Sequence, residues 1–225
     1  MTPGRLAEVL GLPPIPRGTW AEAATYVSPA ALRRGEDPEA MAARLRAMPG
    51  IADVRVRPGG FLEIEVAVPG ELVTEIGPAA AVPVAPGAPA AGPPPWPDFP
   101  RTWANPGFAV RYAHVRAAAV QRWAAELGVT GDFRPGLLTG RQDRAVLRSL
   151  AELPGRRVSR DPGWAAYTEQ LALAYHDAFE RAPALPSGDE PPSPLHTARV
   201  RLARAVRDVL AEGLAALGET APTGL

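Results

Sequence analysis

The spacing of apolar residues predicts both a helix and strands in the first part of the chain. Residues 37–48 repeat methionine and leucine at helical spacing. Asp37 precedes this segment as an N-cap residue, and Pro38 occupies the first helical position, where its missing N–H is not needed. We therefore expect a short helix over this segment.

Residues 51–68 instead alternate apolar and charged side chains, which is the period of a β-strand. The turn-forming sequence Arg-Pro-Gly-Gly at 57–60 interrupts the alternation, so the segment predicts a β-hairpin. Its charged face carries arginines on one strand and glutamates on the other, which are placed to pair across the strands. The segments 4–12 and 19–35 are helical or mixed in pattern. The N-terminal part is therefore predicted to be an α/β unit with an antiparallel sheet.

Four segments beyond residue 100 repeat apolar residues every three or four positions, which predicts four helices. Two span roughly 107–127 and 141–153, and two begin at Asp161 and Ser193, which are placed as N-caps. Four helices of this kind can form a bundle around one core. The side chains expected to face that core are Phe108, Tyr112, Val115, Ala119, Trp123, Val146, Leu150, Leu153, Trp164, Tyr167, Leu171, Tyr175, Ala178, Ala182, Leu195, Ala198, Leu202, Val206, Val209 and Leu217.

Residues 77–100 consist mostly of proline, alanine and glycine. Proline fixes φ and removes a backbone donor, so this low-complexity segment predicts a semi-stiff linker without a core of its own. It divides the chain into an α/β domain at 1–76 and an all-helical domain at 101–225. The predicted fold class is therefore α+β.

The composition of the 225-residue chain narrows its possible functions. It has no cysteine, and all 24 of its basic residues are arginine. Thiolate catalysis, cysteine-based metal sites, Schiff-base lysine and P-loop lysine chemistry are therefore excluded. No apolar run approaches the roughly 20 residues that span a bilayer, and the N-terminus lacks the apolar stretch of a signal peptide. We expect a cytoplasmic protein without a membrane segment.

No set of residues in the sequence forms a recognisable reaction centre. The nucleophile motif G-x-S-x-G, the dinucleotide motif G-x-G-x-x-G and the P-loop are all missing. His114, His176 and His196 lie off the predicted apolar stripes and lack the i, i+4 partner of a helical metal site. We therefore expect a binding module rather than an enzyme, with no catalytic residue, metal or cofactor.

The arginines are the strongest candidates for a binding function. Residues 134–160 contain seven arginines against Asp143 and Glu152, although the whole chain has a formal net charge of zero. A guanidinium binds two phosphate oxygens at once, which suits nucleic acid, but the pattern also suits a solvated helix face with pairs such as Arg204–Asp208. Trp123, Trp164, Tyr167 and Tyr175 are expected to pack in the core rather than to stack on bases. The side chains expected to contact nucleic acid are Arg111, His114, Arg116, Arg141, Arg144, Arg148, Arg199, Arg201, Arg204 and Arg207.

Three C-terminal stretches resemble a known family in their order and spacing. They are YAHVR at 112–116, LALAYHDAFERAPALPSGDE at 171–190 and ARVRLARAVRDVLAEGLAALGETAP at 198–222. Together they are similar to the DALR anticodon-binding domain that ends arginyl-tRNA synthetases. The N-terminal stretches TYVSPAALRR and GIADVRVRPGGFLEIEV resemble, more weakly, the N-terminal additional domain of the same enzymes.

The resemblance leaves out the catalytic core that lies between these domains in a synthetase, where this chain has residues 77–100. A HIGH-like motif is missing, and a KMSKS-like loop is impossible without lysine. The resemblance therefore implies no aminoacylation by this chain. The whole is similar to the small, stand-alone arginyl-tRNA synthetase-related anticodon-binding proteins of the NrtL-like group.

The resemblance also implies which residues lie in the anticodon-binding region. Phe179 replaces a tyrosine that is usual in the enzymes, and Leu225 replaces the methionine of their P-E-R-M-like tail. Both departures bear on specificity for arginine tRNA. The positions carried over from the family motifs are Tyr112, His114, Arg116, Tyr175, His176 and Phe179.

Three functions remain open at this point. The first is a non-catalytic protein that binds the anticodon stem-loop of a tRNA, with arginine tRNA as the candidate ligand. The second is a protein-interaction or regulatory module that has kept the scaffold and lost RNA binding, with full-length arginyl-tRNA synthetase as a candidate partner. The third is a subunit of a split arginine–tRNA ligase. One continuous basic face would favour the first function, whereas scattered, acid-paired arginines would favour the second.

Overall fold

The N-terminal part forms a four-stranded antiparallel sheet with helices in the computed structural model, which describes residues 1–77 and 96–224. From one edge of the sheet to the other, the strands are β1 (Ile15–Arg17), β2 (Ala24–Ser28), β4 (Phe61–Val66) and β3 (Ile51–Arg57). The helix predicted at 37–48 is confirmed, and the segment 19–35 contains both a strand and a short helix. In chain order the elements are α1 (Pro3–Leu10), β1 (Ile15–Arg17), β2 (Ala24–Ser28), α2 (Ala30–Arg34), α3 (Pro38–Arg46), β3 (Ile51–Arg57), β4 (Phe61–Val66) and a 3-10 helix (Pro69–Glu75).

The predicted hairpin is formed by β3 and β4. Val54 of β3 pairs with Ile64 of β4, and both side chains are fully buried. On the opposite, charged face Arg57 donates to Glu63 across the strands, with a shortest N–O distance of 2.6 Å. The alternation in the sequence therefore predicted both faces correctly, since a strand directs successive side chains to opposite sides.

The C-terminal part is all-helical, as predicted. Ser193 caps the last helix, Pro194–Ala216, as expected, because its hydroxyl accepts from the backbone N–H of His196 while the His196 ring accepts from the Ser193 N–H. The prediction that Asp161 caps the third helix is wrong, because that helix starts later, after Gly163. The elements are α4 (Pro106–Glu126), a 3-10 turn (Pro135–Leu137), α5 (Arg141–Leu150), α6 (Leu153–Val158), α7 (Trp164–Arg181) and α8 (Pro194–Ala216). No helix within the described ranges has a stretch long and apolar enough to cross a membrane.

The core-facing side of α4 differs from the predicted one. The buried side chains are small and include Ala113, Ala117 and Val120, whereas Phe108 and Tyr112 are only half-buried and Trp123 is 44% exposed. Small side chains let α4 approach both α7 and α8 closely, so a stripe of alanines is buried in place of the aromatic stripe. The predicted core positions of the three other predicted helices that carry valine, leucine and tyrosine are largely confirmed. The helix predicted at 141–153 is two helices, α5 and α6.

The two parts of the chain pack directly against each other. The 3-10 helix Pro69–Glu75 lies so close to the turn Pro135–Leu137 that a Cβ at Gly70 would overlap the carbonyl of Pro135. Their buried apolar side chains belong to one contiguous core. The sheet and the helices are therefore in contact, which the sequence did not predict.

Most of the predicted linker, residues 78–95, lies outside the described residues, as does Leu225. The last residues of the predicted linker are described and are packed on α4. Trp96 is buried against Gly107, and the side chain of Asn105 donates to the carbonyl of Pro97 at 2.8 Å. This part of the segment therefore contributes to the core, contrary to the prediction.

The close approach of α7 and α8 gives a stability prediction at Gly213. A Cβ at this position would overlap Cγ2 of Thr168. We expect Gly213→Ala to lower the free energy of unfolding by about 1–3 kcal/mol through overpacking, despite the better helix propensity of alanine. A Cβ at Gly155 in α6 would have no atom within 4 Å. Gly155→Ala is therefore the matched control and should be neutral or stabilising. Urea denaturation measures both, and equal effects would contradict the close approach.

Candidate nucleic-acid interface

Aromatic side chains from three segments meet at one end of the bundle. Trp103, just before α4, lies on the ring of His176 from α7, with 4.1 Å between centroids and 33° between planes. It also makes edge-to-face contacts with Tyr112 and Phe108, at centroid distances of 5.5 and 6.0 Å. Phe108 and Tyr112 lie nearly parallel to each other, 5.5 Å apart. We call Trp103, Phe108, Tyr112, Arg116, His176 and Phe179 the aromatic cluster.

Arg116 connects α4 to α7 within this cluster. Its guanidinium carbon lies 3.8 Å from the ring centroid of Phe179 and 5.0 Å from that of Tyr112. It donates to Nδ1 of His176 at 3.0 Å and to Glu180 at 2.6 Å. Because a guanidinium only donates, Nδ1 of His176 is the acceptor and its ring proton is on Nε2. The hydrogen bond from Arg116 also holds the pKa of Glu180 below its usual value.

Tyr175 lies beneath the cluster, with its ring edge toward Phe179 at a centroid distance of 6.3 Å. Burial raises the pKa of Tyr175, so its hydroxyl stays protonated. This hydroxyl has no hydrogen-bond partner among the described residues. Since position 179 carries phenylalanine, the exposed part of the cluster offers ring faces and edges but no phenolic hydroxyl from that position.

The sequence placed His114 on the rim of the helix at 107–127, outside its apolar stripe, but in the structure His114 is buried and only 8% exposed. Its Nδ1 has no partner within residues 1–77 and 96–224. Arg111, also predicted on the rim, donates to Glu219 at 2.8 Å and to the carbonyl of Pro97 at 3.3 Å. The rim position is therefore wrong for His114, because the face of α4 that is buried is the alanine face on which it lies.

The buried ring of His114 predicts a loss of stability in mild acid. Burial lowers its pKa, and the charge of Arg207 lowers it further, against the opposing effects of the Pro222 carbonyl and Asp208. The unfolded chain therefore binds the proton first, so stability is complete above the ordinary histidine pKa of about 6.5 and decreases as the pH falls below it. Urea denaturation across pH 7 to 5 should show this decrease. His114→Phe should flatten it, and an unchanged slope in the variant would contradict the assignment.

Three of the other candidate arginines are engaged by acidic side chains. Arg199 of α8 binds Asp143 of α5, which is buried, at 3.1 Å. Arg207 binds its neighbour Asp208 at 2.6 Å, so the predicted Arg204–Asp208 pair does not form. Arg148 binds Glu152 at 2.7 Å. These arginines therefore do not contribute to a face of unpaired positive charge.

Two arginines of α5 contact the N-terminal part. Arg144 donates to the carbonyls of Trp20 and Glu22, at 3.3 and 2.9 Å. Arg148 donates to the carbonyl of Gly18 at 3.0 Å as well as to Glu152. Both arginines therefore hold the loop that joins β1 to β2 against the helical part. The sequence had placed them on a nucleic-acid surface instead.

Besides Arg144, three candidate arginines have no acidic partner within 4 Å in the part of the chain that the structure describes. They are Arg141 at the start of α5 and Arg201 and Arg204 on α8. Trp103 is the residue of the cluster that the sequence analysis missed. A tryptophan two positions before Asn105, whose side chain caps α4 through the N–H groups of Gly107 and Phe108, was the available signal.

A family model described as the DALR anticodon binding domain matches residues 110–225. The chain belongs to the DALR anticodon-binding domain family. The matched DALR segment contains Tyr112, Arg116, His176 and Phe179, and Trp103 and Phe108 lie just before it. Membership of this family indicates tRNA binding in general.

Proposed function

We propose that this chain is a non-catalytic tRNA-binding protein related to arginyl-tRNA synthetase. Its DALR domain binds an anticodon stem-loop at the aromatic cluster. The observation that carries the proposal is the convergence of Tyr112, Arg116, His176 and Phe179, which belong to two separate family motifs, on one half-exposed aromatic surface. Proteins bind single-stranded RNA loops by stacking unpaired bases on aromatic rings and guanidinium planes.

Some residues of the cluster contact RNA in this proposal, and others hold the contacting residues in position. Trp103 is 45% exposed while its ring lies against His176, so we assign the exposed part of this ring to contact with a base. Arg116 already donates to His176 and Glu180 and covers the ring of Phe179. Its contribution is therefore to hold the rings in place, with little capacity left for a phosphate.

The proposed ligand is a tRNA, with arginine tRNA as the first one to test. Stacking accepts any base, because every base has a π-face. A hydroxyl at position 179 would have added a hydrogen bond to a base edge, and phenylalanine removes it. We therefore propose binding with modest discrimination between tRNAs, in the cytoplasm and without catalysis.

Binding to tRNA at two salt concentrations tests the proposal. Fluorescence anisotropy with labelled arginine tRNA, unfractionated tRNA and the isolated anticodon stem-loop should show micromolar or tighter binding at about 50 mM salt. The affinity should be much weaker at about 200 mM, because phosphate contacts release counterions. Arginine tRNA should bind at least as tightly as the unfractionated pool. A lack of micromolar binding at low salt would exclude the proposed function.

The acid-paired arginines favour one second candidate, a protein-interaction module. Arg111, Arg116 and Arg199 each bind a carboxylate from a distant part of the sequence. Arginines held in internal ion pairs are not available to bind phosphates. The same fold could then bind a protein partner instead of RNA. Purified full-length arginyl-tRNA synthetase is the partner to test, by analytical ultracentrifugation after nuclease treatment. A stable complex combined with no tRNA binding would favour this candidate over the first.

A further inference from the structure

A groove lies at the junction of the two parts of the chain, away from the aromatic cluster. It has a volume of about 330 Å³ and is formed by the 3-10 helix Pro69–Glu75 and its end on one side, and by α8 on the other. Gln121 of α4 contacts Val200 next to it. With a rise of about 1.5 Å per residue, Gln121 lies about 14 Å along the axis of α4 from Tyr112. The residues that line the junction groove include Val73, Thr74, Ile76, Phe133, Arg201 and Arg204.

The junction groove carries positive charge that nearby carboxylates do not neutralise. Arg201 and Arg204 have no acidic partner within 4 Å in the described ranges 1–77 and 96–224, unlike Arg199 and Arg207 on the same helix. The two glutamates of the 3-10 helix Pro69–Glu75 are engaged elsewhere. Glu71 binds the amino group of Met1, and Glu75 accepts from the Thr2 hydroxyl and from the backbone N–H of Gly4.

The α8 carboxylates that follow these arginines are engaged as well. Asp208 binds Arg207, and Glu212 binds Arg157 of α6 at 2.7 Å. In the described residues no carboxylate lies within 4 Å of either guanidinium, and both arginines line one concave surface. An anion that enters it would not have to displace an internal ion pair.

The geometry of the two arginines suits a phosphate group. Arg201 and Arg204 are three positions apart on a helix, so their side chains leave from the same face about 5–6 Å apart. Guanidiniums bind phosphate through paired N–H donors, with shorter and stronger hydrogen bonds than neutral donors form. The ring of Phe133 provides an apolar wall for a sugar attached to such a phosphate.

We infer that the junction groove binds a phosphate group through Arg201 and Arg204, and that both parts of the chain are needed to form the site. The phosphate comes either from the tRNA backbone, which rests on the proposed function, or from free phosphate, which does not. Because the opposite wall belongs to the N-terminal part, occupancy of the groove reports that the two parts are docked.

Salt-dependent tRNA binding is the first test. Removing one phosphate contact lowers the slope of log K against log salt by about one. Arg201→Ala combined with Arg204→Ala should produce this change and weaken binding about tenfold or more at about 50 mM salt. Arg201→Gln with Arg204→Gln, which keeps much of the side-chain length, should act alike, so a folding defect is separated from a lost contact. Arg160→Ala, an exposed arginine away from the groove, is the matched control and should leave the slope unchanged.

Thermal unfolding in phosphate is the second test. At matched ionic strength, sodium phosphate should raise the Tm of the wild-type chain above its value in sodium chloride, because a ligand of the folded state stabilises it. The double variant should lose this rise. A Tm effect without a change in slope would assign the site to free phosphate, and a slope change without a Tm effect would assign it to the RNA backbone. If neither quantity differs between the double variant and the wild type, the inference is wrong.

The two tests also separate this inference from the proposed function. If the wild-type chain binds no tRNA, the proposed function is wrong. Thermal unfolding in phosphate then decides by itself whether the groove binds phosphate. If the wild-type chain binds tRNA, the double variant keeps the same slope of log K against log salt, and phosphate has no effect on Tm, then the inferred phosphate site is wrong. The proposed function is then unaffected.

A substitution in the opposite wall tests whether both parts form the site. Thr74 is exposed and lines the groove, so Thr74→Glu places a carboxylate opposite the two guanidiniums. Thr74→Glu should reproduce the changes in salt slope and in phosphate-dependent Tm that the double arginine variant shows. Thr74→Gln, which introduces a side chain of the size of glutamate but without charge, should not. Equal behaviour of the two Thr74 variants would show that α8 acts without the N-terminal part.

Discussion

Replacing Trp103 by alanine should weaken binding of an anticodon stem-loop by about 5-fold to 150-fold, which corresponds to the loss of roughly 1–3 kcal/mol for one stacked base. Trp103 is 45% exposed and its ring contacts His176, Tyr112 and Phe108, so these contacts hold it in place before RNA binds. Fluorescence anisotropy at constant salt measures the effect. The slope of log K against log salt should stay unchanged, because the indole carries no charge.

Trp123 provides the matched control for this prediction. It lies on α4, is 44% exposed, and is not part of the aromatic cluster. Trp123→Ala should therefore leave RNA affinity within about twofold of wild type, since the contacts of Trp103 remain. Trp103→Phe should recover most of the affinity, because stacking requires an aromatic face rather than an indole. Equal losses in the two alanine variants would contradict binding at the cluster.

Replacing Arg199 by methionine should lower the free energy of unfolding by about 3 kcal/mol, because it leaves a buried carboxylate without its partner. Asp143 is only 1% exposed and accepts from both Nε and Nη2 of Arg199 at 3.1 to 3.4 Å. We expect the lower end of the usual range for a broken buried pair, since the Arg199 side chain keeps some contact with solvent. Urea denaturation monitored by circular dichroism measures the change.

A surface pair and a double variant complete this experiment. Arg181→Met breaks the exposed pair with Asp177 and should cost no more than about 0.5 kcal/mol. Asp143→Asn combined with Arg199→Met should be more stable than Arg199→Met alone, because no charge is left buried and unpaired. If Arg199→Met costs as little as Arg181→Met, the pair has no structural role. Lost RNA affinity in folded Arg199→Met protein would return Arg199 to the binding surface, where the sequence analysis had placed it.

Two features of the N-terminal part could be predicted from local sequence patterns. The hairpin follows from alternation and a glycine turn, and the α3 cap follows from Asp37, whose carboxylate accepts from the N–H groups of Glu39 and Ala40. All the residues that make these features are neighbours in the sequence. Their geometry is therefore set by backbone preferences and by side-chain period.

The arginines show where local patterns fail. Arg111 pairs with Glu219, Arg116 with Glu180 and Arg199 with Asp143, over separations of 108, 64 and 56 residues. No spacing rule connects such positions. Whether an arginine faces RNA, an acid or a backbone carbonyl depends on which elements pack beside it, so the sequence identified the arginines but not their partners.

The sequence by itself determined the hairpin of β3 and β4, the helical C-terminal part, most helix boundaries and membership of the DALR family, because these depend on periodicity, caps and motifs along the chain. Only the tertiary structure decided which face of α4 is buried. An alanine stripe and an aromatic stripe have the same helical period, and close approach to α7 and α8 selects the alanines. That choice moves Phe108 and Tyr112 out of the core and toward Trp103 and His176. The candidate RNA surface therefore exists because the helices pack through their smallest side chains.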